Sequence, residues 1–160
     1  MKGTKTEDEL MEQLRRLCSM REYCHKEVYV KALDKTGGDA AAASRIADRL
    51  LEENFVNQRR YAMAFVSDKA RIRAWGPNKI RAALASKGIA PEIVDEAIQE
   101  RAGQELFDAN LTKKLQRKAA QLRSDPDIKV KLLRYGASAG YSYDKLYAAI
   151  EHILINIDKL

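Results

Sequence analysis

Apolar positions recur at three- and four-residue spacing along almost the whole chain. The alternation that a strand requires is nowhere sustained, so the pattern predicts helices and no sheet. The first predicted helix runs from about Glu7 to Leu17, with Leu10, Leu14, Leu17 and Cys18 on one face. Ser19, with Glu22 three residues on, reads as a capping box that opens a second helix with the stripe Val28, Ala32 and Leu33. Thr36-Gly37-Gly38 ends it. Asp39 is a good N-cap for a third helix carrying Ala43, Ile46, Ala47, Leu50 and Leu51, and Asn54 stops that helix. Asn57 caps a fourth, longer helix, for which Tyr61, Ala62, Phe65, Val66 and Ile72 are the expected core residues.

The stretch Trp75–Ile89 reads as a fifth helix with its punctuation attached. Gly76 is expected to take a strained conformation before Pro77, which fits the first helical position because its missing N–H would have had no partner there. Ile80, Ala83 and Leu84 form the stripe, and Gly88 supplies the left-handed residue that closes the helix. Pro91 opens a sixth helix, with Ile89 stapled onto Val94 and the face continued by Ala97 and Ile98. A seventh, from about Gln104 to Leu122, carries Phe107, Leu111, Leu115, Ala119 and Leu122. Asp125-Pro126 reads as the opening of an eighth with Ile128, Leu132 and Leu133, and Gly136 and Gly140 are expected to loosen its end. Ser142 caps a ninth, with Tyr141 and Leu146 as another staple and Ala149, Ile150, Ile153 and Ile157 completing the face.

Nine helices group as three sets of three. Gly37, Gly88 and Gly140 each follow the middle helix of a set, at separations of 51 and 52 residues. Around the first pair Ala32 matches Ala83 and Leu33 matches Leu84. Around the second, Ile89, Val94, Ala97 and Ile98 match Tyr141, Leu146, Ala149 and Ile150. A period near 50 predicts an all-α tandem array of three three-helix repeats, with repeats at residues 1–56, 57–102 and 103–160.

Charge adds a second pattern. The net charge of +6 is concentrated in two blocks. Residues 57–87 hold 8 basic and 1 acidic side chains, and residues 111–135 hold 8 basic and 2 acidic. Between them, residues 88–110 hold 1 basic and 6 acidic. A merely solvated helix needs no such clustering, so the blocks point to a charged partner surface. The contact candidates are Arg59, Arg60, Lys69, Arg71, Arg73, Trp75, Lys79, Arg81 and Lys87 in the first block, and Lys113, Lys114, Arg117 and Lys118 in the second. Both carboxylates and phosphates reward Arg geometry. A basic helical module that binds DNA directly is therefore one reading of the same residues.

Catalytic chemistry finds little support. GxSxG, HExxH and P-loop motifs are absent, and the glycines form no phosphate cradle. Cys18, Cys24 and His25 can be drawn as three metal ligands, but their spacing fits no common zinc pattern. The expectation is a protein that is not an enzyme, with no catalytic residues, no metal and no cofactor. No run of about 18 apolar residues occurs and the first residues lack an apolar signal core, which predicts a cytoplasmic protein without a membrane span.

Asn57-Gln-Arg-Arg-Tyr-Ala62, Phe65-Val66, Gly76-Pro77, Ile80-Arg81, Leu84 and Lys87-Gly88-Ile89 resemble the central repeat of the RecX family. Arg21-Glu22-Tyr23 with Lys26-Glu27, and Ala47-Asp48-Arg49-Leu50, resemble its first repeat. Gly140-Tyr141-Ser142 with Leu146 is similar to its third. Asn57 and Gln58 depart from the acidic residues that the family often has there. The resemblance implies an elongated, curved all-helical regulator of the RecA recombinase, expected to act as a monomer. Such a protein lodges in the groove of the RecA filament on single-stranded DNA. It inhibits or modulates ATP hydrolysis, strand exchange and LexA cleavage, and so affects DNA repair, recombination and the SOS response.

Overall fold

The computed structural model describes residues 5–159. Among these residues lie nine α-helices and no strand: α1 (Glu7–Met20), α2 (His25–Lys35), α3 (Ala40–Glu52), α4 (Gln58–Val66), α5 (Pro77–Ser86), α6 (Pro91–Arg101), α7 (Gln104–Gln121), α8 (Ile128–Ser138) and α9 (Tyr143–Ile155). A π-helical turn, Ser67–Ile72, extends α4, and a 3-10 turn, Ile157–Lys159, follows α9.

Most helices start where the sequence punctuates them. Asp39 accepts from the Ala42 N–H at 3.1 Å and Asn57 from the Arg60 N–H at 2.9 Å. Ser142 accepts from the Lys145 N–H at 3.4 Å, and Pro77 and Pro91 open α5 and α6. Two starts differ from expectation. α1 runs on through Ser19, whose hydroxyl donates to the Arg16 carbonyl at 2.7 Å. The box that opens α2 is formed instead by Glu27, which accepts from the Cys24 N–H at 3.0 Å, because Tyr23 and Cys24 are the residues buried at that corner. Likewise Asp125 accepts from the Asp127 N–H at 2.8 Å, so residues 125–127 make an Asx-type turn and α8 begins only at Ile128.

The period of 51 and 52 residues has a structural counterpart. Gly37, Gly88 and Gly140 have φ of +69°, +75° and +100°. The next N–H after each, from Gly38, Ile89 and Tyr141, reaches back to the carbonyls of Leu33, Leu84 and Gly136 at 2.8, 3.1 and 3.2 Å. This is one helix-closing motif three times over. Side-chain volume is traded within it. Leu33, Leu84 and Gly136 hold one corresponding position, and Ala43, Val94 and Leu146 hold another. Gly136 is therefore no loosening of α8: it lies inside the helix, buried, and a Cβ there would come 2.1 Å from Leu146 Cδ2.

Packing divides the chain unevenly. α1–α3 enclose one core around Leu14, Val28, Ile46 and Leu50. α4–α9 enclose a second, continuous core around Ile80, Leu84, Leu115, Leu132, Leu146 and Ile150. Cys24 is the exception, since it sits before α2 yet belongs to the second core. Two expected core residues are outside: Leu51 is 41% exposed and Ile72 is 76% exposed. The π turn explains the latter. Its wider spacing changes the helical phase, so Ala70 is fully buried and Ile72 faces out.

The joint between α4–α6 and α7–α9 is made by backbone. The Gly76 N–H donates to the Ala139 carbonyl at 2.7 Å and the Asn78 N–H to the Gly140 carbonyl at 3.0 Å. A Cβ on Gly76 would lie 2.3 Å from Gly140 O, and one on Gly140 would lie 2.4 Å from Lys79 Cβ. Gly76 itself is extended, with φ −77° and ψ 165°, so the expected strain is absent there and the glycine is required by space. Tyr141 locks the same corner by donating to the Ala74 carbonyl at 2.8 Å, and its burial pushes the phenol up to about 12. The joint between α1–α3 and α4–α6 is polar. Arg60 Nε meets Glu22 at 2.9 Å, Lys87 Nζ meets Glu27 at 3.7 Å, and Lys26 Nζ donates to the Ser86 carbonyl at 2.8 Å. The His25 N–H donates to Gln58 at 3.0 Å.

Candidate functional site

The basic residues of the central block divide by what they already hold. Arg59 pairs with Glu96, and Arg81 Nε pairs with Asp95 at 3.2 Å, both on α6. Arg60 and Lys87 are committed to the joint with α1–α3. Arg71 donates to the Arg101 carbonyl at 3.1 Å. These groups brace the molecule as much as they face outward. Opposite charges for them come from positions that are far away in the chain, including the acidic block of residues 88–110.

Lys69, Trp75 and Lys79 are brought together. The indole of Trp75 is half-buried against the second core and meets Phe65 edge to face, with ring centres 6.2 Å apart. Lys69 Nζ lies 4.9 Å and Lys79 Nζ 4.3 Å from the centre of that ring. Attraction of a cation to an aromatic face helps hold both ammonium groups in place. Lys69 also pairs with Asp68 at 3.4 Å, whereas Lys79 has no ion pair among the described residues. Trp75 thus packs on a core and also carries the cations beside it. Arg73 is exposed, and its guanidinium makes no ion pair or hydrogen bond to a described residue.

In the second block, Lys114 and Lys118 lie one turn apart on α7 and share a ring, at 5.6 and 5.2 Å from the centre of Tyr135. Lys113 and Arg117 stand on the adjacent exposed stripe. The two blocks are joined through the fold at the α7 side of the π turn, where Asn110 Nδ2 donates to the Ala70 carbonyl at 2.7 Å.

The linear charge count overlooks another cationic surface. Arg21, Lys26 and Lys31 line an open groove of about 510 Å³ with Glu27, Val30 and Lys87, across the joint between α2 and α5. Arg21 lies 3.9 Å from the centre of the Tyr23 ring. Residues 1–56 have almost balanced charge, which hides this grouping, and Lys26 and Lys31 are not at the three- or four-residue spacing that would put them on one helix face.

Cys18, Cys24 and His25 do not form a metal set. His25 Nε2 meets Asp48 at 2.8 Å, and burial pushes both thiols up, which keeps them protonated at neutral pH. Among the described residues no three His, Cys, Asp or Glu side chains are grouped to hold an ion, and no helix is long and apolar enough to cross a membrane.

Residues 57–98, which span α4, the π turn, α5 and most of α6, match the family model of the second three-helix domain of RecX. A curated relative from Ectopseudomonas mendocina, named Regulatory protein RecX, is 32% identical over 131 residues, covering 81% of this chain and 85% of that protein. Another of that name, from Clostridium botulinum, is 34% identical over 116 residues, covering 70% of this chain and 53% of the relative. The chain thus spans about half the length of several relatives it matches. Among solved structures, the crystal structure of RecX from Lactobacillus salivarius is similar with a TM-score of 0.75 at 20% identity, covering 93% of this chain and 97% of that one. A crystal structure of regulatory protein RecX is similar with a TM-score of 0.79 at 18% identity, covering 95% and 81%. The fold is shared with both, and the extent and identity of the match to the Ectopseudomonas mendocina relative settle the assignment: the chain belongs to the RecX family of regulatory proteins.

Proposed function

We propose that this chain regulates RecA by binding along the groove of the RecA filament on single-stranded DNA. There it restrains ATP hydrolysis, strand exchange and LexA cleavage. The observation that carries this reading is membership of a family named for regulation, with the match centred on the unit that holds the Lys69–Trp75–Lys79 cluster. Three units, at residues 1–56, 57–102 and 103–160, act as successive contact modules. Weak contacts from linked modules add through effective concentration, so no single deep pocket is needed. The mechanism is a brace: contacts to neighbouring RecA subunits oppose the subunit movement that accompanies ATP turnover. This role needs no catalytic residue, cofactor or membrane.

The test is a titration of the folded chain into RecA, ATP and single-stranded DNA, followed by phosphate release. The rate falls at or below one chain per RecA subunit. An unchanged rate across that range removes the proposal. A parallel measurement on DNA without RecA separates the competing reading. Direct DNA binding through Lys113, Arg117 and their neighbours gives retention that weakens steeply with salt. Inhibition of RecA with no such retention leaves the filament as the partner.

A further inference from the structure

Ile72 is 76% exposed at the end of a strained turn, and that turn is held from every side. The Arg73 N–H donates to the Asp68 carbonyl at 3.2 Å, five residues back, which closes the π turn. Ala74 then has φ +55°, a left-handed conformation that L side chains rarely adopt. The Trp75 N–H donates to the Lys69 carbonyl at 2.9 Å, and Tyr141 and Asn110 hold the Ala74 and Ala70 carbonyls from α7–α9. A π turn and a left-handed non-glycine residue both cost stability and are found where structure serves a site. Here the outcome of that cost is an apolar side chain pushed into water between two arginines. The Arg71 guanidinium holds only a backbone carbonyl, and the Arg73 guanidinium has no ion pair or hydrogen bond among the described residues.

From this geometry we infer that Arg71-Ile72-Arg73 is a preformed knob that enters an apolar pocket rimmed by carboxylates on the surface of a RecA subunit. The inference rests on the RecA reading and names the chemistry of one contact within it. Rigidity matters because a knob that is already ordered loses little entropy on docking. An apolar centre flanked by arginines is also the pattern of an interface hot spot. The charge pattern favours a protein over a nucleic acid. Arg59, Arg60, Arg81 and Lys87 are engaged with Glu96, Glu22, Asp95 and Glu27, so the knob is not part of a continuous track of free cations.

The experiment compares Ile72→Asp, Ile72→Leu and Arg73→Glu in the RecA ATPase titration, with Ile155→Asp as the control at an equally exposed apolar site on α9. The half-inhibitory concentration rises about ten-fold or more for Ile72→Asp and Arg73→Glu. It stays near wild type for Ile72→Leu and Ile155→Asp, and thermal melting of all four stays at the wild-type value. Wild-type inhibition by Ile72→Asp overturns the knob and leaves the RecA reading standing. So does an equal loss in Ile155→Asp, or a loss that appears only in retention on bare DNA. Failure of the wild-type chain to inhibit RecA removes both.

Discussion

Gly76→Ala tests the joint on which the continuous second core depends. The added Cβ would sit 2.3 Å from Gly140 O, 2.4 Å from Gly140 C and 2.7 Å from Tyr141 N. All three are backbone atoms, so no side chain can rotate away. Relief requires the α5 and α8 corners to part by about 1 Å, since carbon and oxygen rest about 3.3 Å apart at closest. That movement breaks the bonds from Gly76 to Ala139 and from Asn78 to Gly140. Two hydrogen bonds at a net 0.5–1.5 kcal/mol each, together with about 1–3 kcal/mol for overpacking, give a loss of about 4 kcal/mol. For a chain of this size that is a fall in Tm of roughly 8–16 °C. Gly37→Ala is the comparison. It has φ +69° but nothing within 4 Å of the new Cβ, so it carries only the conformational cost of about 1–2 kcal/mol. Melting followed by circular dichroism ranks the two, and hydrogen exchange at the Gly76 and Asn78 amides reports the joint itself. A Gly76→Ala protein that melts within about 2 °C of wild type, or no lower than Gly37→Ala, refutes the reasoning.

Alkaline pH will loosen the same corner. The Tyr141 phenol is raised from 10.0 to about 12 in the fold, chiefly by burial, so the unfolded chain loses this proton first. The stabilising contribution is complete below pH 10 and disappears as pH rises through about 12; Tm measured against pH should fall over that window in wild type and less steeply in Tyr141→Phe. The volume trade between α8 and α9 predicts coupling: Gly136→Ala and Leu146→Val each destabilise alone, and the double variant loses less than the sum by about 1 kcal/mol. Denaturant unfolding of the four proteins measures this, and strict additivity would count against the trade.

Caps, helix-closing glycines and the three-fold period were legible because they are local. Asp39, Asn57 and Ser142 bond N–H groups three residues away, and Gly37, Gly88 and Gly140 act on their own turns. The π turn was not legible. It depends on Asn110, 40 residues on from Ala70, and on Tyr141, 67 residues on from Ala74, so Ile72 reads as core when only its own helix is considered. Gly76 is a related case, since what demands a glycine there is a carbonyl from the α8–α9 corner and not the local backbone. The basic block is visible in the sequence as a run of charge, whereas the surface it makes depends on partners that the run does not show. Counter-ions from Glu22, Glu27, Asp95 and Glu96 reach it only in three dimensions.

The most direct measurement is equilibrium binding of the fluorescently labelled chain, followed by anisotropy, to three targets in parallel: RecA assembled on single-stranded DNA with a non-hydrolysable nucleotide, RecA alone, and the same DNA alone. Saturable binding to the assembled filament, well tighter than to either component, is the predicted result. Equal affinity for bare DNA and filament, or no binding to the filament, contradicts the account.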